Sequence, residues 1–327
     1  MTPLVSIIIP VFNGENYLRE AIDSALSQTH EQVEILVVND GSTDGTEEIA
    51  LSYGNKIRYF AKENGGVSTA LNMGIKNMNG EYFSWLSHDD LYRNDKVEIQ
   101  IRSLQDSPKR IAYSDYAVID KNGKTLAVLD IMKKYPDADH NVGLFPVMHH
   151  VLNGNSLLIH RSHFDRAGMF DEKLVATQDY DLWFRMLRNA ELVYTNQPLV
   201  LHREHEMQVT HKYRNNLVEV DNLWYNILNQ LTTDEMRLLN GSERLFWIRQ
   251  LEVLRLTRYK KAKQLARLRA KEQGIKMLPA RTFAKWATYS LISFMSRLAQ
   301  KIGIKNSVIN SKAFGFLYKT WFEVRYK

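Results

Sequence analysis

The chain has 327 residues, of which 44% are hydrophobic, and it carries a formal net charge of +6 at pH 7. This hydrophobic content excludes a disordered protein, and the length accommodates a folded domain of about 230 residues with a smaller appended region. The chain contains no cysteine, which excludes disulfides and cysteine-ligated zinc sites and is consistent with a reducing compartment.

The predicted elements alternate between strand and helix near the start of the chain. Runs of β-branched residues predict strands buried on both faces of a parallel sheet, and apolar residues spaced three and four apart predict amphipathic helices. In chain order these are strand 5–11, helix 17–26, strand 33–38, helix 45–53, strand 57–60 and helix 67–78. The first run is too short for the core of a signal peptide. The order predicts an α/β fold that binds ligands at the carboxyl ends of its strands.

A pair of carboxylates ends the next apolar run, YFSWLSHDD at 82–90. Oxygen ligands such as Asp89 and Asp90 at a strand end suit a hard cation, Mg²⁺ or Mn²⁺, and its phosphates. Paired aspartates are equally typical of a turn and a helix N-cap, and a helix is predicted at 94–103. Asn13 and Asp40 fall at the ends of two other predicted strands, so three polar residues are expected at one rim of the sheet.

The second strand is followed by the segment NDGSTDGT at 39–46. Its glycines allow a tight turn with Asp40 projecting from the tip, where the carboxylate can accept the N3–H of a uracil or another base edge. The alternative is an Asx-turn followed by a helix cap at Thr43 and Asp44. No dinucleotide-binding G-x-G-x-x-G follows the first strand and no P-loop motif occurs, so those two kinds of nucleotide site are disfavoured.

Five motifs in order carry a family resemblance: SIIIPVFN at 6–13, ILVVNDGSTDGT at 35–46, NGGVSTALNMGI at 64–75, WLSHDD at 85–90 and QDYDLWFRM at 178–186. With them the chain resembles the family 2 glycosyltransferases, which have the GT-A fold with its Rossmann-like nucleotide-binding sheet. The resemblance covers roughly the first two hundred residues. It implies inverting transfer of a sugar from a nucleotide diphosphate donor to the hydroxyl of an acceptor.

The resemblance also implies roles for particular residues. Asp179 corresponds to the general base, and a carboxylate with an ordinary pKa of about 3.9 stays ionised at neutral pH. Asp89 and His205 would hold Mn²⁺ or Mg²⁺, which neutralises charge on the departing diphosphate, and Arg203 would contact that diphosphate. The alternative for His205 is an idle exposed side chain. The residues implied at the nucleotide are Pro10, Phe12, Asn13, Asp40, Asn72 and His88.

On the acceptor side the implied residues are Asn153, Gly154 and Trp183. An exposed Trp183 would stack on a sugar, and the alternative is that it belongs to the core. Asp171 and Glu172 form a second acidic pair, for which turn and cap roles are the alternative.

Three positions depart from the family pattern. Ser87 stands where the family often has the first Asp of an Asp-x-Asp motif, so the metal would depend on Asp89 together with water and phosphate oxygens. Gln178 replaces the acidic neighbour of the base, and Asp181 lies two positions on, which directs it to another side of a helix. Leu71 stands where many relatives carry an Arg.

Two positions along the chain suggest domain boundaries. A strand at 111–119 and a hairpin turn at 120–123 interrupt the regular alternation, while a capping box at Thr232 with Glu235 and a helix stop at Gly241 mark a later junction. We therefore predict a nucleotide-sugar and metal-binding half at 1–120, an acceptor-side half with the base at 121–232, and a basic, helical tail at 233–327.

The tail has an unusual charge and an amphipathic pattern. Residues 243–327 hold 20 Lys and Arg against 4 Asp and Glu, whereas residues 1–242 hold 23 against 33. Apolar residues from Phe283 to Ile302 fall on one helical face among cations, and an aromatic-rich segment follows at 314–322. Such a tail suits the interface of an anionic membrane, and no uncharged apolar run approaches the roughly 20 residues that span a bilayer.

Together with the family resemblance, the tail predicts a cytoplasmic enzyme, peripheral on the inner face of the cell membrane. The resemblance and the tail also imply that it builds a bacterial surface glycan on a lipid-linked acceptor. The alternative for the tail is helices packed on the catalytic domain or on a second subunit of a homo-oligomer. Nucleic acid is not an expected partner, because no recognised nucleic-acid motif is present.

Two other classes of protein compete with this interpretation. A sugar-phosphate nucleotidyltransferase would carry a Gly-rich loop with Arg and Lys after the first strand, where this chain has VFNGEN at 11–16. A non-catalytic scaffold that keeps the fold is opposed by the presence of Asp40, Asp89 and Asp179.

Overall fold

A computed structural model describes residues 2–136, 138–188, 190–205, 216–255 and 257–275. The chain divides into two compact units, one up to Leu223 and the other from Trp224. The predicted amphipathic and aromatic segments of the tail, from Phe283 onward, lie outside the described residues.

The first part of the sheet follows the predicted alternation of strands and helices. The elements are β1 (Val5–Val11), α1 (Leu18–Leu26), β2 (Val33–Asn39), α2 (Thr46–Leu51), β3 (Arg58–Ala61), α3 (Val67–Asn77) and β4 (Tyr82–Trp85). The strands are parallel and lie in the order β3-β2-β1-β4. Every residue of β1 is buried because both faces of the strand are covered, which explains its continuous apolar run. The prediction of an α/β fold is confirmed.

A proline lies where the pairing between β1 and β4 ends. Pairing of the two strands ends at Ile8 with Trp85, after which the Leu86 N–H donates to the Ile8 carbonyl. Pro10 lies two residues further along the same edge and has no N–H to continue the ladder, so the chain after Leu86 is free to diverge. Pro10 was predicted at the nucleotide, but it is buried within β1. The missing N–H of Pro10 explains why the pairing ends here, and contact of Pro10 with a nucleotide stays a prediction.

The second part of the sheet is built around one strand that pairs with three others. Its elements are β5 (Leu91–Tyr92), α4 (Lys96–Leu104), β6 (Arg110–Ile119), β7 (Thr125–Leu129), α5 (Ile131–Lys134), α6 (Phe145–Met148), β8 (Leu158–His160), α7 (Ser162–Ala167), α8 (Gln178–Leu187) and β9 (Glu191–Arg203). Strand β6 pairs with β8 and β7 antiparallel and with β9 parallel. The predicted hairpin turn joins β6 to β7, with Asp120 Oδ1 accepting from the N–H groups of Asn122 and Lys124.

One nine-stranded sheet results, in the order β3-β2-β1-β4-β8-β6-β9-β5 with β7 beside β6. The antiparallel pairing of β8 with β4 joins the two parts. Both predicted halves of the catalytic region therefore share a single sheet within the first unit.

Helices make up the described remainder of the chain: α9 (Leu217–Gln230), α10 (Thr233–Asn240), α11 (Glu243–Arg255) and α12 (Lys261–Glu272). The boundary between the units falls inside α9, whereas the sequence placed it at residue 233. The predicted capping box is present at Thr232 and Glu235, and Gly241 ends α10 with a left-handed φ of 77°. Within the described ranges, no helix combines the length and the apolar character needed to cross a membrane.

Candidate active site

The loops after β1 and β2 are joined by hydrogen bonds at the carboxyl end of the sheet. Asn13 adopts a left-handed φ of 52°, and its Oδ1 accepts from the Thr43 N–H at 2.8 Å. The Gly14 N–H donates to Thr46 Oγ1 at 2.8 Å. This arrangement leaves Asn13 exposed and Phe12 44% exposed on the rim, where both were predicted to meet a nucleotide.

Asp40 lies at this rim as expected, but it does not project from it. The residue is only 3% exposed. Its carboxylate accepts from Lys62 Nζ at 2.5 Å and from the N–H groups of Gly65 and Gly66 at 3.0 and 2.7 Å. A carboxylate has about four acceptor positions, so most of them are already used. Asp40 therefore anchors the 62–66 loop, and Gly66 allows that loop its left-handed φ of 90°.

The two aspartates after β4 point in different directions. Asp90 is buried and accepts from the Arg203 N–H at 2.7 Å, from His202 Nδ1 at 3.1 Å and from Asn155 Nδ2. Asn155 Oδ1 in turn accepts from the Ser87 N–H at 3.2 Å. Burial raises the pKa of the Asp90 carboxyl. Asn155 was not predicted from the sequence as a site residue. The only signal for it was its position directly after Asn153 and Gly154.

Asp89 lies beside His205, as the sequence predicted. His205 Nε2 lies 3.0 Å from Asp89 Oδ2, and both side chains are mostly covered. Burial alone would raise the pKa of Asp89, but the hydrogen bond with His205 and the neighbouring His88 lower it to about 2. The His205 ring also packs on Tyr17 at a centroid distance of 5.0 Å. An ionised carboxylate and an imidazole are thus held side by side.

This pair fits a divalent cation. Two neighbouring ligands of an octahedral ion, each at about 2.1 Å, lie about 3 Å apart, which is the separation of Asp89 Oδ2 and His205 Nε2. Oxygen and imidazole ligands together suit Mn²⁺. Among the described residues, no three His, Cys, Asp or Glu side chains group in a way that could hold a metal. Any ion would therefore take its other ligands from a substrate and water, as the presence of Ser87 predicted.

His88 lies between the first loop and the aspartate pair. A Cβ added at Gly14 would come within 2.7 Å of His88 Cδ2, so the imidazole rests directly on the glycine backbone. Contact of His88 with a nucleotide stays a prediction.

Arg203 was predicted to contact a diphosphate, and the structure contradicts the exposed position that this role needs. The residue is 1% exposed. Its guanidinium donates to the Asp89 carbonyl at 2.9 Å and to Glu20 Oε2 at 2.7 Å, and it lies 4.5 Å above the Tyr17 ring centroid. Arg203 therefore holds the backbone of Asp89 in place.

Asn72 was also predicted at the nucleotide, and it is buried elsewhere. Its amide donates to the Phe170 carbonyl at 2.9 Å and accepts from the Phe170 N–H at 3.1 Å. It also donates to Glu172 Oε1 at 2.9 Å. Because this pairing uses both ends of the amide, Asn72 ties α3 to the acceptor-side segment. Asp171 has the turn role named as its alternative, accepting from the Lys173 N–H.

Asp179 lies in the first turn of α8, where helix N–H groups face the carboxylate. Its Oδ1 accepts from the Tyr180 N–H at 2.8 Å, and part of the side chain is accessible. Burial raises the pKa of Asp179 to about 6. Asp181 differs, because it forms an ion pair with Arg185 at 2.7 Å. Of the two carboxylates, Asp179 has the properties of a general base.

A glutamate that sequence reasoning missed fixes the turn before α8. Glu219 Oε1 accepts from the N–H groups of Ala176 and Thr177 at 2.8 and 2.9 Å and from Thr177 Oγ1 at 2.9 Å. Three hydrogen bonds to one carboxylate oxygen immobilise the start of the helix that carries Asp179. The partners are more than forty residues apart in the chain, so no local pattern signals the contact.

The three residues predicted on the acceptor side pack in the core or support a turn. Trp183 is fully buried, with its ring 5.6 Å from Phe170, so the core alternative is correct and the stacking role is wrong. A Cβ on Gly154 would lie 2.9 Å from the Trp85 ring, which requires a glycine there. Asn153 Oδ1 accepts from the Asn155 N–H and caps the short turn that follows.

The fold of this chain is similar to that of solved structures. The crystal structure of Staphylococcus aureus TarS residues 1–349 in complex with UDP-GlcNAc aligns with a TM-score of 0.62 at 17% identity, covering 99% of this chain and 89% of that one. The mixed α/β sheet is that of the GT-A fold, as predicted.

Sequence comparisons define the family. Residues 6–165 match the model described as Glycosyl transferase family 2. An uncharacterised glycosyltransferase of Rickettsia typhi is 50% identical over 247 residues, covering 75% of this chain and 78% of the relative. One of Rickettsia prowazekii is 47% identical over 267 residues, covering 81% and 84%. The chain belongs to glycosyltransferase family 2, which decides against the nucleotidyltransferase alternative.

Proposed function

We propose that this glycosyltransferase transfers a sugar, with inversion, from a nucleoside diphosphate donor to an acceptor hydroxyl, using Asp179 as the general base. The observation that carries the proposal is the state of Asp179: it is partly exposed, it is not the ion-pair partner of Arg185, and burial raises its pKa to about 6. Such a carboxylate is ionised at neutral pH and is basic enough to take the proton of an attacking hydroxyl. Glu219 fixes the orientation of its helix.

The donor binds at the rim formed by the ends of β1, β2 and β4. Phe12 offers an exposed ring for the base, and the base edge meets the 62–66 loop that Asp40 anchors. A solved structure with the same fold contains UDP-GlcNAc, which supports a nucleotide sugar as the donor. The diphosphate lies toward His88 and Asp89.

Asp89 and His205 would hold Mn²⁺ or Mg²⁺, and the ion would supply positive charge for the departing diphosphate. Arg203 contributes by fixing the Asp89 backbone, and Asn155 by fixing the loop that contains Ser87. These contacts keep the carboxylate of Asp89 beside His205 while the carboxylate of Asp90 stays buried.

A donor screen tests this function. We expect one nucleoside diphosphate sugar, with Mn²⁺, to raise the unfolding temperature, because a ligand at a hundred times its Kd stabilises the native state by about 2.7 kcal/mol. The same donor should release its nucleoside diphosphate when an acceptor is supplied. Stabilisation measured by differential scanning fluorimetry across uridine, guanosine, thymidine and cytidine donors identifies the base. If no nucleotide sugar stabilises the protein, or if pyrophosphate is the product, the proposal fails.

We further propose that the basic C-terminal region binds the cytoplasmic face of the cell membrane, where a lipid-linked acceptor is glycosylated during synthesis of a bacterial surface polysaccharide. Two observations support it: 20 Lys and Arg against 4 Asp and Glu at 243–327, and exposed apolar side chains on the described basic helices. Leu245 and Leu268 are both 53% exposed on α11 and α12. Apolar side chains among cations suit an anionic interface.

Liposome flotation tests the membrane proposal on the full chain. The protein should float with anionic vesicles and much less with neutral ones, and high salt should weaken binding because it screens the headgroup attraction. Changing Leu245 and Leu268 together to Gln should reduce flotation, whereas Leu51→Gln, at a comparably exposed leucine of α2, should not. Equal flotation with both kinds of vesicle, or an equal effect of both substitutions, would contradict the proposal.

A further inference from the structure

We propose that two copies of this chain associate through strand β7 (Thr125–Leu129), which pairs antiparallel with β7 of the second copy across a two-fold axis. This strand contains none of the candidate active-site residues, so the proposal does not depend on the proposed function. Three observations carry it: the open edge of β7, its exposed apolar side chains, and the match between the charges at its ends when the strand meets its own copy.

Strand β7 lies at an edge. It pairs with β6 on one side, and among the described residues no strand pairs with its other side. The open side of such a strand presents N–H and C=O groups to a further strand. A β-bulge shifts the register of the two strands between Val118 and Ile119, but Ala127, Val128 and Leu129 pair with β6 in continuous register. The regular part of the edge is therefore suited to pairing.

The side chains of β7 are apolar and exposed. The strand has the sequence TLAVL, and its first four residues are exposed. Leu126 and Val128 are 55% and 53% exposed. Native proteins discourage pairing at an edge with charges, proline or a bulge. Because β7 contains no charge and no proline, and the bulge lies at its start, its composition favours association with another strand.

The two-fold axis restricts how β7 can pair with its own copy. Facing residues of an antiparallel pair lie at equal distances before and after the residue on the axis. With Ala127 on the axis, Leu126 faces the Val128 of the other copy, so apolar side chains meet at two places. The same register sets Lys124 opposite the Asp130 of the other copy, also twice. Opposite charges that face each other across strands stabilise the pair.

The conformation at the ends of the strand allows these ion pairs. Lys124 is exposed, and Asp130 continues the extended conformation with φ −98° and ψ 101°. Asp130 Oδ1 accepts from the Lys133 N–H at 2.8 Å, and a carboxylate has a second oxygen for an ammonium group. Moving the axis by one residue in either direction would set Lys124 opposite an apolar side chain. Charge and apolar pairing therefore select one register and one partner, a second copy of the chain.

Self-crosslinking tests this register, because the chain contains no cysteine. Residues that face each other in an antiparallel pair have Cα atoms about 4.5 to 5.5 Å apart, which suits a disulfide. Full-length Ala127→Cys should therefore form a covalent dimer under mild oxidation. Thr125→Cys is the matched control on the same exposed strand. Its own symmetry copy would lie about 13 Å along the strand, so this variant should crosslink only when it is mixed with Leu129→Cys.

Charge reversal tests the register without a covalent bond. Analytical ultracentrifugation of the full-length wild type should show a dimer that grows with concentration. Lys124→Glu and Asp130→Lys should each raise its dissociation constant roughly tenfold or more, because like charges then face each other at two places. A mixture of these two variants should recover the dimer, since every facing pair again has opposite charges. Lys56→Glu, at an exposed lysine before β3, is the control and should sediment as the wild type does.

The remaining outcomes would overturn the proposal. These are a wild type that stays monomeric at all concentrations, equal crosslinking of Ala127→Cys and Thr125→Cys alone, or a mixture of charge variants that does not recover the dimer although both variants show cooperative thermal unfolding. Leu126→Lys gives a further test, because a buried cation at the apolar pair should abolish the dimer. If Leu126→Lys leaves sedimentation unchanged and lowers flotation with anionic vesicles, β7 binds the membrane surface and not a second copy.

Discussion

Replacing Asp179 by asparagine should lower the rate of sugar transfer by roughly 10² to 10⁴, the range for loss of a general base. The change preserves shape, and an amide oxygen can still accept from the Tyr180 N–H that bonds to Asp179. Donor affinity and folding should therefore persist. Steady-state transfer, nucleoside diphosphate binding and thermal unfolding of the same preparation measure the three properties separately.

The pH dependence gives this prediction a second readout. The base acts in its deprotonated form, and burial raises its pKa to about 6. Wild-type kcat/KM should therefore be level above that pH and fall as the pH drops below it, and residual activity of Asp179→Asn should lack this fall. A wild-type profile that stays level to pH 4 would contradict the assignment.

Asp181→Asn is the matched control for the catalytic role. It changes a carboxylate two residues away whose partner is Arg185. Both side chains of this i,i+4 pair are partly exposed, and such pairs are worth about 0.3 to 0.5 kcal/mol. The variant should keep near-normal transfer. If Asp181→Asn loses activity and Asp179→Asn does not, the base has been assigned to the wrong carboxylate.

The sequence was sufficient to place the rim of the site because parallel strands bring their carboxyl ends together. β-Branched runs identified β1 and β2, so Asn13, Asp40 and Asp89 could be assigned to one edge from the sequence alone. The pairing of Asp89 with His205 could be predicted only through family resemblance, since 116 residues separate them. No local period connects two such positions.

Two side chains that were predicted to contact the donor bond instead to partners far along the chain. Arg203 bonds to Glu20, 183 residues away, and Asn72 bonds to Phe170, 98 residues away. A motif shows that a polar residue follows a strand or lies on a helix, but it does not show which way the side chain turns. Trp183 is different, because the core was named as its alternative and the structure buries it completely.

The separation of Asp89 from Asp90 shows how one distant residue decides a role. Both follow β4, and the local sequence does not distinguish them, although the family resemblance assigned the metal to Asp89. Asn155, reached through the pairing of β8 with β4, bonds to Asp90 and to the Ser87 N–H. In the loop between these contacts, the Asp90 carboxylate is buried and the Asp89 carboxylate lies beside His205.

Replacing Asp89 by asparagine should abolish the Mn²⁺-dependent tightening of nucleoside diphosphate binding while the fold stays intact. The pKa of Asp89 is lowered to about 2, so the native side chain is fully ionised at neutral pH, and the amide removes that charge. Loss of a residue that only supports a metal ligand costs about 10- to 100-fold in affinity, so loss of the ligand itself should cost at least as much. Calorimetry with UDP, with and without Mn²⁺, measures the difference.

His205→Gln should reduce the same tightening less severely, because a carboxylate contributes charge and an imidazole does not. Asp95→Asn is the control, since that carboxylate pairs with Arg93 away from His205. It should leave the metal dependence at the wild-type level, and all three variants should unfold at similar temperatures. Unchanged Mn²⁺ dependence in Asp89→Asn would show that Asp89 and His205 do not bind the metal. An equal loss of Mn²⁺ dependence in Asp95→Asn would show that the effect comes from net charge. A metal effect that disappears in Asp89→Asn, weakens in His205→Gln and survives in Asp95→Asn places the cation at the two side chains that the fold holds 3.0 Å apart.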